Sequence, residues 1–397
     1  MSMSVKLNVI FLGAFLYPNG YAATKRKQQF LEYILAKGDD VRVLITLKWA
    51  KGHEMNKNQG SYKGINYEVL GTYVKQNILF PITFLVFTIY TFIRLYSLKS
   101  KTSKNILVIF EIFYDTLFPM IFSYLIGYKI IFDIVEDFAS LEANKSTKDK
   151  IKYFYLLEVQ KFVKFKVASG ISVITKYLFD KHKDRANKNL PLVLIPVSAE
   201  NIYFKLSQEI KKEKVNFTFL YSGTYGEKEG LQYLFEAFYK FTEINNNAKL
   251  ILTGNCPKDI REQLKNLYKI YDYINFTGRL DEEEYYNTLA EADVLLMTRN
   301  KSKFANAGFP YKLGEYLATG KPTICTNVSD ISLYLKNMES AIIIEPENIQ
   351  ALLDAMLFIF NNPTKAKEIG QKGKEVCRQY FNPEINSKIF YELMRNC

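Results

Sequence analysis

Residues 306–322, NAGFPYKLGEYLATGKP, carry the pattern that decides the fold. Gly308 allows close approach of backbone, and Pro310 suits the first turn of a helix. The helical pattern then stops at Gly320, and an apolar strand-like run at residues 322–326 follows. A helix that leads directly into a buried strand is typical of a parallel α/β sheet.

The start of this helix is suited to an anion. Its first backbone amides have no partner within the helix, so they can point at a ligand such as a diphosphate. Lys312 adds a positive charge near the same anion, and Glu315, one turn further along, can accept two hydrogen bonds from a ribose diol. These residues favour a nucleotide sugar as the ligand. The alternative is structural: a capped amphipathic helix with an exposed lysine and glutamate.

The same alternation of strands and helices extends outward in two blocks. In the first block we predict strands at residues 5–12, 41–47, 106–111 and 130–135 and helices at 22–36 and 115–125. In the second we predict strands at residues 217–222, 248–253, 274–277, 293–297 and 322–326 and helices at 231–242, 282–290, 311–318 and 348–360. A polar connector at residues 205–214 separates the blocks. This order predicts an α/β protein of two Rossmann-like, doubly wound domains that face a central cleft.

Length and composition agree with two folded domains. The chain has 397 residues, of which 48% are hydrophobic and 24% charged, so a disordered or fibrous protein is excluded. Four cysteines without a C-x-x-C pair and two histidines, His53 and His182, make a zinc site or a disulfide framework unexpected. We therefore predict no metal and no cofactor. The amino terminus does not resemble a signal peptide, which predicts a cytoplasmic location.

Positive charge is concentrated in the first quarter of the chain. The net charge is +12, and residues 1–105 hold fifteen basic and five acidic residues, a difference of about +10. Such a field favours nucleic acid, an anionic membrane surface or a phosphorylated substrate. Since no nucleic-acid recognition motif accompanies it, we predict no nucleic-acid partner and favour a membrane or a phosphate.

Residues 78–93, ILFPITFLVFTIYTFI, are almost wholly apolar. Sixteen residues fall short of the ~20 that span a bilayer, which makes a transmembrane helix the least favoured alternative. The run is either a helix packed on the sheet or a helix in the membrane interface, with the bases after it near anionic lipid. The charge excess favours the interface. Our working hypothesis places the protein at the inner face of the cell membrane, as a peripheral protein.

Taken in order along the chain, these motifs resemble the family-four retaining glycosyltransferases of the GT-B fold, of the bacterial polysaccharide type. Residues 306–322 are similar to the nucleotide-binding signature of that family. Residues 17–26, YPNGYAATKR, resemble its first glycine-containing loop and helix, and residues 219–231, FLYSGTYGEKEGL, resemble the opening strand, phosphate loop and helix of its carboxyl-terminal domain. The resemblance covers nearly the whole chain.

The resemblance implies a function and a domain plan. The protein is expected to move a hexose-type sugar, with retention and without a metal, from a nucleoside diphosphate sugar to a glycan or lipid-linked acceptor. Capsule, exopolysaccharide or lipopolysaccharide assembly is the expected setting. Residues 1–205 would bind the acceptor, residues 206–381 the sugar nucleotide, and the helix at 382–397 would cross back to the amino-terminal domain. Stabilisation of charge on the leaving diphosphate would be the main catalytic effect.

The resemblance also implies which residues form the site. The expected substrate-binding residues are Gly20, Tyr21, Arg26, Gly223, Lys228, Arg299, Gly308, Phe309, Pro310, Tyr311, Lys312 and Glu315. The expected catalytic residues are Glu136, Asp137 and Lys228. A carboxylate such as Asp137 at a strand end is as often a helix cap or a salt-bridge partner.

Three positions depart from the family pattern. Ala307 replaces the first of two spaced glutamates, and Thr224 replaces the arginine that usually follows the glycine of the phosphate loop. No histidine lies near residues 132–137, where the family often has one. These departures leave two alternatives open: a sugar-nucleotide-binding scaffold subunit without catalysis, and a GT-B sugar-nucleotide 2-epimerase, which needs more acid and base groups than two distant histidines supply.

Overall fold

The computed structural model describes residues 5–20, 22–46, 58–71, 80–110, 112–137, 158, 162–185, 189–206, 216–268 and 270–397. The chain divides into two compact units. The amino-terminal unit comprises Met1–Ile195 and Glu384–Cys397, and the carboxyl-terminal unit comprises Pro196–Pro383.

The amino-terminal unit is built on an eight-stranded sheet with the order β3-β4-β2-β1-β5-β6-β7-β8. Its strands are β1 (Leu7–Gly13), β2 (Asp40–Ile45), β3 (Gln59–Tyr62), β4 (Ile65–Val69), β5 (Lys104–Ile109), β6 (Lys129–Ile134), β7 (Ala168–Val173) and β8 (Leu192–Leu194). Its helices are α1 (Ala22–Ala36), α2 (Phe80–Ser97), α3 (Tyr114–Leu125), α4 (Lys176–Lys183) and α13 (Pro383–Asn396), the last at the end of the chain. Every strand pair is parallel except β3 with β4. Strand β1 lies near the middle and is buried along its whole length, which explains its continuous apolar sequence.

The carboxyl-terminal unit is built on a six-stranded parallel sheet with the order β11-β10-β9-β12-β13-β14. Its strands are β9 (Phe217–Tyr221), β10 (Ala248–Thr253), β11 (Ile274–Gly278), β12 (Val294–Met297), β13 (Thr323–Thr326) and β14 (Ile342–Ile344). Its helices are α5 (Leu231–Ile244), α6 (Lys258–Gln263), α7 (Glu282–Glu291), α8 (Lys303–Ala307), α9 (Tyr311–Thr319), α10 (Ile331–Tyr334), α11 (Ile349–Asn361) and α12 (Pro363–Tyr380). Short 3-10 or π turns lie at Tyr203–Lys205, Glu227–Glu229, Leu264–Tyr268 and Tyr271–Tyr273.

The division of the chain differs from the expected boundaries at residues 205/206 and 381/382. Residues 196–205 lie in the carboxyl-terminal unit, because Ala199 N donates to Phe381 O at 2.9 Å and Lys374 Nζ donates to Phe204 O at 2.9 Å. Helix α13 lies in the amino-terminal unit, where Phe390 is fully buried and stacks on Phe30 with ring centroids 4.2 Å apart. Helix α13 therefore packs in the core of the amino-terminal unit.

One hairpin was not predicted from the sequence. Strands β3 and β4 pair antiparallel through a tight turn at Lys63 and Gly64, both with positive φ, 49° and 79°. Turns of this hand match the twist of a two-residue hairpin. The predicted connector at residues 205–214 lies outside the described residues from 207 onward.

Helix α2 covers most of the apolar run predicted at residues 78–93 and extends four residues beyond it. Residues 78–79 lie outside the described part of the chain. None of the helices among the described residues combines the length and apolar character needed to span a bilayer.

Candidate functional site

The loop after β9 approaches neighbouring groups very closely. A side chain at Gly223, where φ is 143°, would place its Cβ 2.8 Å from Lys312 Nζ. At Gly230, where φ is 62°, a Cβ would lie 2.1 Å from Thr298 O. Only glycine fits at both positions. The loop at residues 222–230 therefore holds its backbone directly against the ammonium of Lys312 and the end of β12.

A buried carboxylate lies at the centre of the positive charges. Lys312 Nζ donates to Glu229 Oε2 at 2.7 Å, and Arg299 Nε lies 3.6 Å from Glu229 Oε1. Burial by itself raises the pKa of Glu229, but Lys312 and Arg299 outweigh it and lower that pKa to about 2. Burial lowers the pKa of Lys312, and Glu229 opposes this. The pair is therefore charged on both sides, held together inside the protein.

Arg299 and Lys228 are both held by neighbouring groups. Arg299 Nη1 donates to Gly308 O at 2.8 Å, which fixes the backbone just before α9. Lys228 Nζ lies 4.3 Å from the ring centroid of Phe304, a cation–π contact. The structure thus brings four predicted residues, Gly223, Lys312, Arg299 and Gly308, into one contiguous cluster.

Glu315 is buried with both carboxylate oxygens engaged. Tyr203 OH donates to Oε1 at 2.9 Å, and Tyr285 OH donates to Oε2 at 3.0 Å. Burial, and next the carboxylate of Glu315, raises the pKa of both tyrosines. A carboxylate has about four acceptor sites, of which these two tyrosines use two. Binding of ribose by Glu315 stays a prediction.

Three further predicted residues shape the start of α9. Pro310 is the N-cap residue of α9, and its side chain makes no capping hydrogen bond to the first backbone amides of the helix. Phe309 is buried and contacts Phe381 with ring centroids 5.4 Å apart, and Tyr311 is also buried. The aromatic side chains support the helix start, while its backbone provides the donors.

Arg26, predicted to bind substrate, lies in a buried ion pair with Asp133, and its contact with substrate stays a prediction. Its Nε and Nη2 donate to the two oxygens of Asp133, each at 2.9 Å, and both side chains are almost fully buried. Ser172 Oγ also donates to Asp133 Oδ1 at 2.7 Å. A guanidinium in this bidentate geometry ties α1 to β6 and β7. The sequence gave no sign that Arg26 pairs with Asp133, because the two residues lie 107 positions apart.

Gly20 is required by the turn in which it lies. A Cβ there would meet Thr24 Oγ1 at 2.0 Å, and Thr24 Oγ1 donates to Leu16 O at 2.6 Å. Gly20 therefore has a packing role whether or not substrate reaches it. Tyr21, also predicted to bind substrate, lies outside the described residues.

The predicted catalytic carboxylates lie after β6 in the amino-terminal unit. Asp137 is buried, accepts a hydrogen bond from Tyr177 OH at 3.0 Å and pairs with Lys181 Nζ at 2.5 Å. This is the salt-bridge role that the sequence left open as the alternative. Glu136 is half-buried. The catalytic roles of Glu136, Asp137 and Lys228 stay predictions.

Four residues of interest were missed from the sequence. Lys27 is buried, with Nζ 3.7 Å from the ring centroid of Phe110, and burial lowers its pKa to about 7. It lies on the apolar face of α1 at helical spacing from Phe30, which is the signal that could have found it. Glu229, Tyr203 and Tyr285 gave no such signal, because their partners are far away along the chain. Across the described residues, no three histidine, cysteine or acidic side chains cluster in a way that could hold a metal.

Residues 204–376 match the profile of the family described as Glycosyl transferases group 1. This match lies within the carboxyl-terminal unit. Two curated relatives are each 25% identical in sequence. One is the uncharacterized glycosyltransferase MJ1178 of Methanocaldococcus jannaschii, matched over 181 residues, 45% of this chain and 48% of the relative. The other is the capsular polysaccharide biosynthesis glycosyltransferase CapM of Staphylococcus aureus, matched over 256 residues, 59% of this chain and 63% of the relative.

The match thus spans between about half and just under two thirds of the curated relatives. Solved structures align over nearly the whole chain. Sucrose-phosphate synthase of Thermosynechococcus elongatus gives a TM-score of 0.74 at 17% identity, with 98% of each chain covered. HepE of Anabaena in complex with UDP gives 0.70 at 14% identity, covering 97% of this chain and 98% of HepE. At these identities the likeness concerns the fold, and the chain has the predicted GT-B fold.

Proposed function

We propose that this protein is a glycosyltransferase that moves a sugar from a nucleoside diphosphate sugar to a glycan or lipid-linked acceptor. The observation that carries the proposal is the position of Lys312, whose ammonium lies against Gly223 next to the first turn of α9. A lysine, a glycine-lined backbone and a helix start meet there, which is the set of groups that binds a diphosphate. The group 1 glycosyltransferase domain supports it independently.

The charges around Lys312 suit a leaving diphosphate. Lys312, Arg299 and Lys228 place three positive charges around the carboxylate of Glu229. In the reaction the bond between the anomeric carbon and the diphosphate oxygen breaks, and the electron pair stays on the diphosphate. The acceptor hydroxyl oxygen forms the new bond to the anomeric carbon, and its proton passes to the leaving diphosphate. Fixed positive groups stabilise the charge that develops on the departing oxygen.

The donor and the biosynthetic setting are proposed from the descriptions of similar proteins. HepE was solved with UDP and with glucose, and CapM is described as a capsular polysaccharide enzyme. We therefore propose a UDP-sugar as the first donor to test and bacterial capsule, exopolysaccharide or lipopolysaccharide assembly as the setting. Retention of configuration without a metal is part of the same proposal.

We also propose that the amino-terminal unit docks on an anionic membrane surface through α2. One face of this helix packs inward through Phe87, Thr91 and Leu95. The other face carries apolar side chains that are 40–68% exposed: Ile82, Leu85, Val86, Ile89, Tyr90, Ile93 and Tyr96. The adjacent α3 also carries exposed apolar side chains, Phe118 and Leu125. A continuous apolar stripe followed by Lys99 and Lys101 suits a lipid interface.

The donor proposal is tested by binding and turnover together. A melting-temperature screen with UDP-glucose and GDP-mannose identifies the donor nucleotide. Release of the nucleoside diphosphate is then measured in the presence of bacterial membranes as the acceptor source. We expect Lys312→Ala and Glu315→Gln to lower the rate of release at least tenfold, about 1.4 kcal/mol.

Lys303→Ala is the matched control, because Lys303 is an exposed lysine on the neighbouring helix α8. Its rate should equal that of the parental protein. If Lys312→Ala and Glu315→Gln also release nucleotide at the parental rate, the proposed site is wrong. Donor binding by the parental protein without any release would instead favour the scaffold alternative.

A further inference from the structure

Glu229 lies where a diphosphate-binding loop would be expected to carry positive charge. Its side chain is buried, 3% exposed, and its carboxylate accepts a hydrogen bond from Lys312 Nζ at 2.7 Å. Tyr221 OH lies 3.1 Å from the same oxygen, and Arg299 flanks the other. An acid in this position would weaken anion binding if its charge were its only effect. The geometry shows a second effect.

Lys312 is held in place on several sides. Its ammonium lies 4.0 Å from the ring centroid of Tyr221 and against the backbone of Gly223. Within the described residues, Glu229 is the acidic group that pairs with this ammonium. An ammonium has three donors, so two remain for a ligand while Glu229 holds the third.

We propose that Glu229 is a positioning residue for the donor, one that keeps the ammonium of Lys312 charged and directed at Gly223, where the diphosphate binds. This inference rests on the proposed function and deepens it. A buried lysine loses its proton readily when no carboxylate opposes the cost of burial. Burial lowers the pKa of Lys312, Glu229 raises it, and the nearby Arg299 and Lys228 lower it further. Tyr221, Tyr225 and Tyr316 also lie around this loop and are neutral because burial raises the pKa of each. Glu227, on the loop itself, is exposed.

The proposal predicts a crossover with pH in Glu229→Gln. Glutamine keeps the shape and a carbonyl acceptor but removes the charge. At low pH Lys312 stays protonated in both proteins, so the variant should bind UDP-glucose or GDP-mannose at least as tightly as the parental protein. As the pH rises, Lys312 of the variant should lose its proton first, and donor affinity should fall at least tenfold below the parental value. The diphosphate of a nucleotide sugar does not itself titrate in this range.

A rescue variant separates charge from structure. Glu229→Gln with Lys312→Arg should restore alkaline donor binding, because a guanidinium stays protonated. The donor affinities of all three proteins are measured by calorimetry from neutral to alkaline pH. The proposal would be overturned if Glu229→Gln lost the same donor affinity at every pH, or if Lys312→Arg did not restore alkaline donor binding.

A second measurement works without any donor. The ¹³Cε resonance of Lys312, assigned by its loss in Lys312→Arg, reports the pKa of the ammonium directly. We expect that pKa to be lower by more than one unit in Glu229→Gln. An unchanged Lys312 titration would refute the role of Glu229, whereas parental protein that binds no nucleotide sugar would refute the proposed function instead.

Discussion

Lys27 shows, at the scale of one residue, how burial changes the pKa of a side chain in this protein. Its side chain extends between Phe15 and Phe110, with Nζ 4.5 Å and 3.7 Å from the two ring centroids, and donates to Ala23 O at 3.2 Å. The aromatic faces and Asp133 favour the charged form, but burial opposes it more strongly and lowers the pKa to about 7. The ammonium is therefore close to losing its proton at neutral pH.

The stability of the fold should depend on this proton. The pKa is about 7 in the folded protein against 10.5 for a free lysine, so between these values the unfolded chain binds more protons. The free energy of unfolding should therefore rise with pH across this window. In Lys27→Met that rise should be smaller by a few kcal/mol. Urea unfolding at several pH values measures the difference.

Lys37→Met is the control for this experiment, because Lys37 is exposed on the turn after α1. Its unfolding curves should keep the pH dependence of the parental protein. Identical pH dependence in Lys27→Met and the parental protein would show that Lys27 titrates normally.

The sequence predicted three residues of the candidate site but not the side chains that contact them. Lys312, Glu315 and Gly223 follow from local patterns: a proline-initiated helix and a glycine after a strand. Glu229 was missed because its pairing with Lys312 joins positions 83 residues apart. The pairing of Arg26 with Asp133 was missed for the same reason. From the sequence alone, a charged residue on a helix could equally face solvent, bind substrate or pair with a buried side chain. Only the folded structure shows which of these it does.

At the scale of elements, α2 has one buried face and one exposed apolar face. Its inner face contributes buried Leu95, and Tyr128 OH donates to Leu95 O at 2.8 Å. Its outer face is the apolar stripe from Ile82 to Tyr96. Arg94 is tied to Glu68 by hydrogen bonds of 2.6 to 3.1 Å, so it fixes α2 to β4. Lys99 and Lys101 remain as exposed bases at the end of the helix.

The membrane proposal predicts a specific loss of vesicle binding. The triple variant Leu85→Ser, Ile89→Ser, Ile93→Ser removes apolar area from the exposed stripe and should reduce co-sedimentation with phosphatidylglycerol vesicles severalfold. Lys99→Ser with Lys101→Ser should weaken binding mainly at low salt, since these charges are screened. Lys104 is left intact because its Nζ donates to Arg395 O at 3.0 Å.

A matched triple variant controls for exposed apolar area in general. Ile244, Leu333 and Ile385 are 48–64% exposed and lie away from α2 in the sequence. Their replacement by serine should leave vesicle binding unchanged. Equal binding by both triple variants and the parental protein would rule out docking through α2.

Most elements were predictable because their apolar patterns repeat with a clear period. Strands β1, β9 and β10 are short apolar runs, and α5 has apolar residues at helical spacing. Strand β3, QGSY, has no such pattern because it lies at the edge of the sheet with its residues exposed or half-buried. Its pairing depends on the turn at Lys63 and Gly64.

At the scale of the whole molecule, the end of the chain contributes to the unit that contains its start. Phe390, Leu393 and Met394 of α13 are buried in the same core as β1. Tyr391 OH donates to Asp39 Oδ2 at 2.7 Å, which adds a polar contact to this packing. The family resemblance implied that this helix returns to the amino-terminal domain, which the local sequence pattern alone could not show.

Loss of this packing should destabilise one unit selectively. Phe390→Ala removes a fully buried ring that stacks on Phe30, and it should cost about 3–5 kcal/mol. Hydrogen exchange should become faster in β1 while β9 stays as protected as in the parental protein. Ile385→Ala, on the exposed side of α13, should have little effect. Faster exchange in β9 to the same degree, or none in β1, would contradict this assignment.

A structure of the protein with its nucleotide sugar, chosen by the melting-temperature screen, tests the central claim most directly. We predict the diphosphate within about 3 Å of Lys312 Nζ and of the first backbone amides of α9, with a ribose hydroxyl hydrogen-bonded to Glu315. A nucleotide bound at another place in the molecule, with Lys312 still paired only to Glu229, would contradict it.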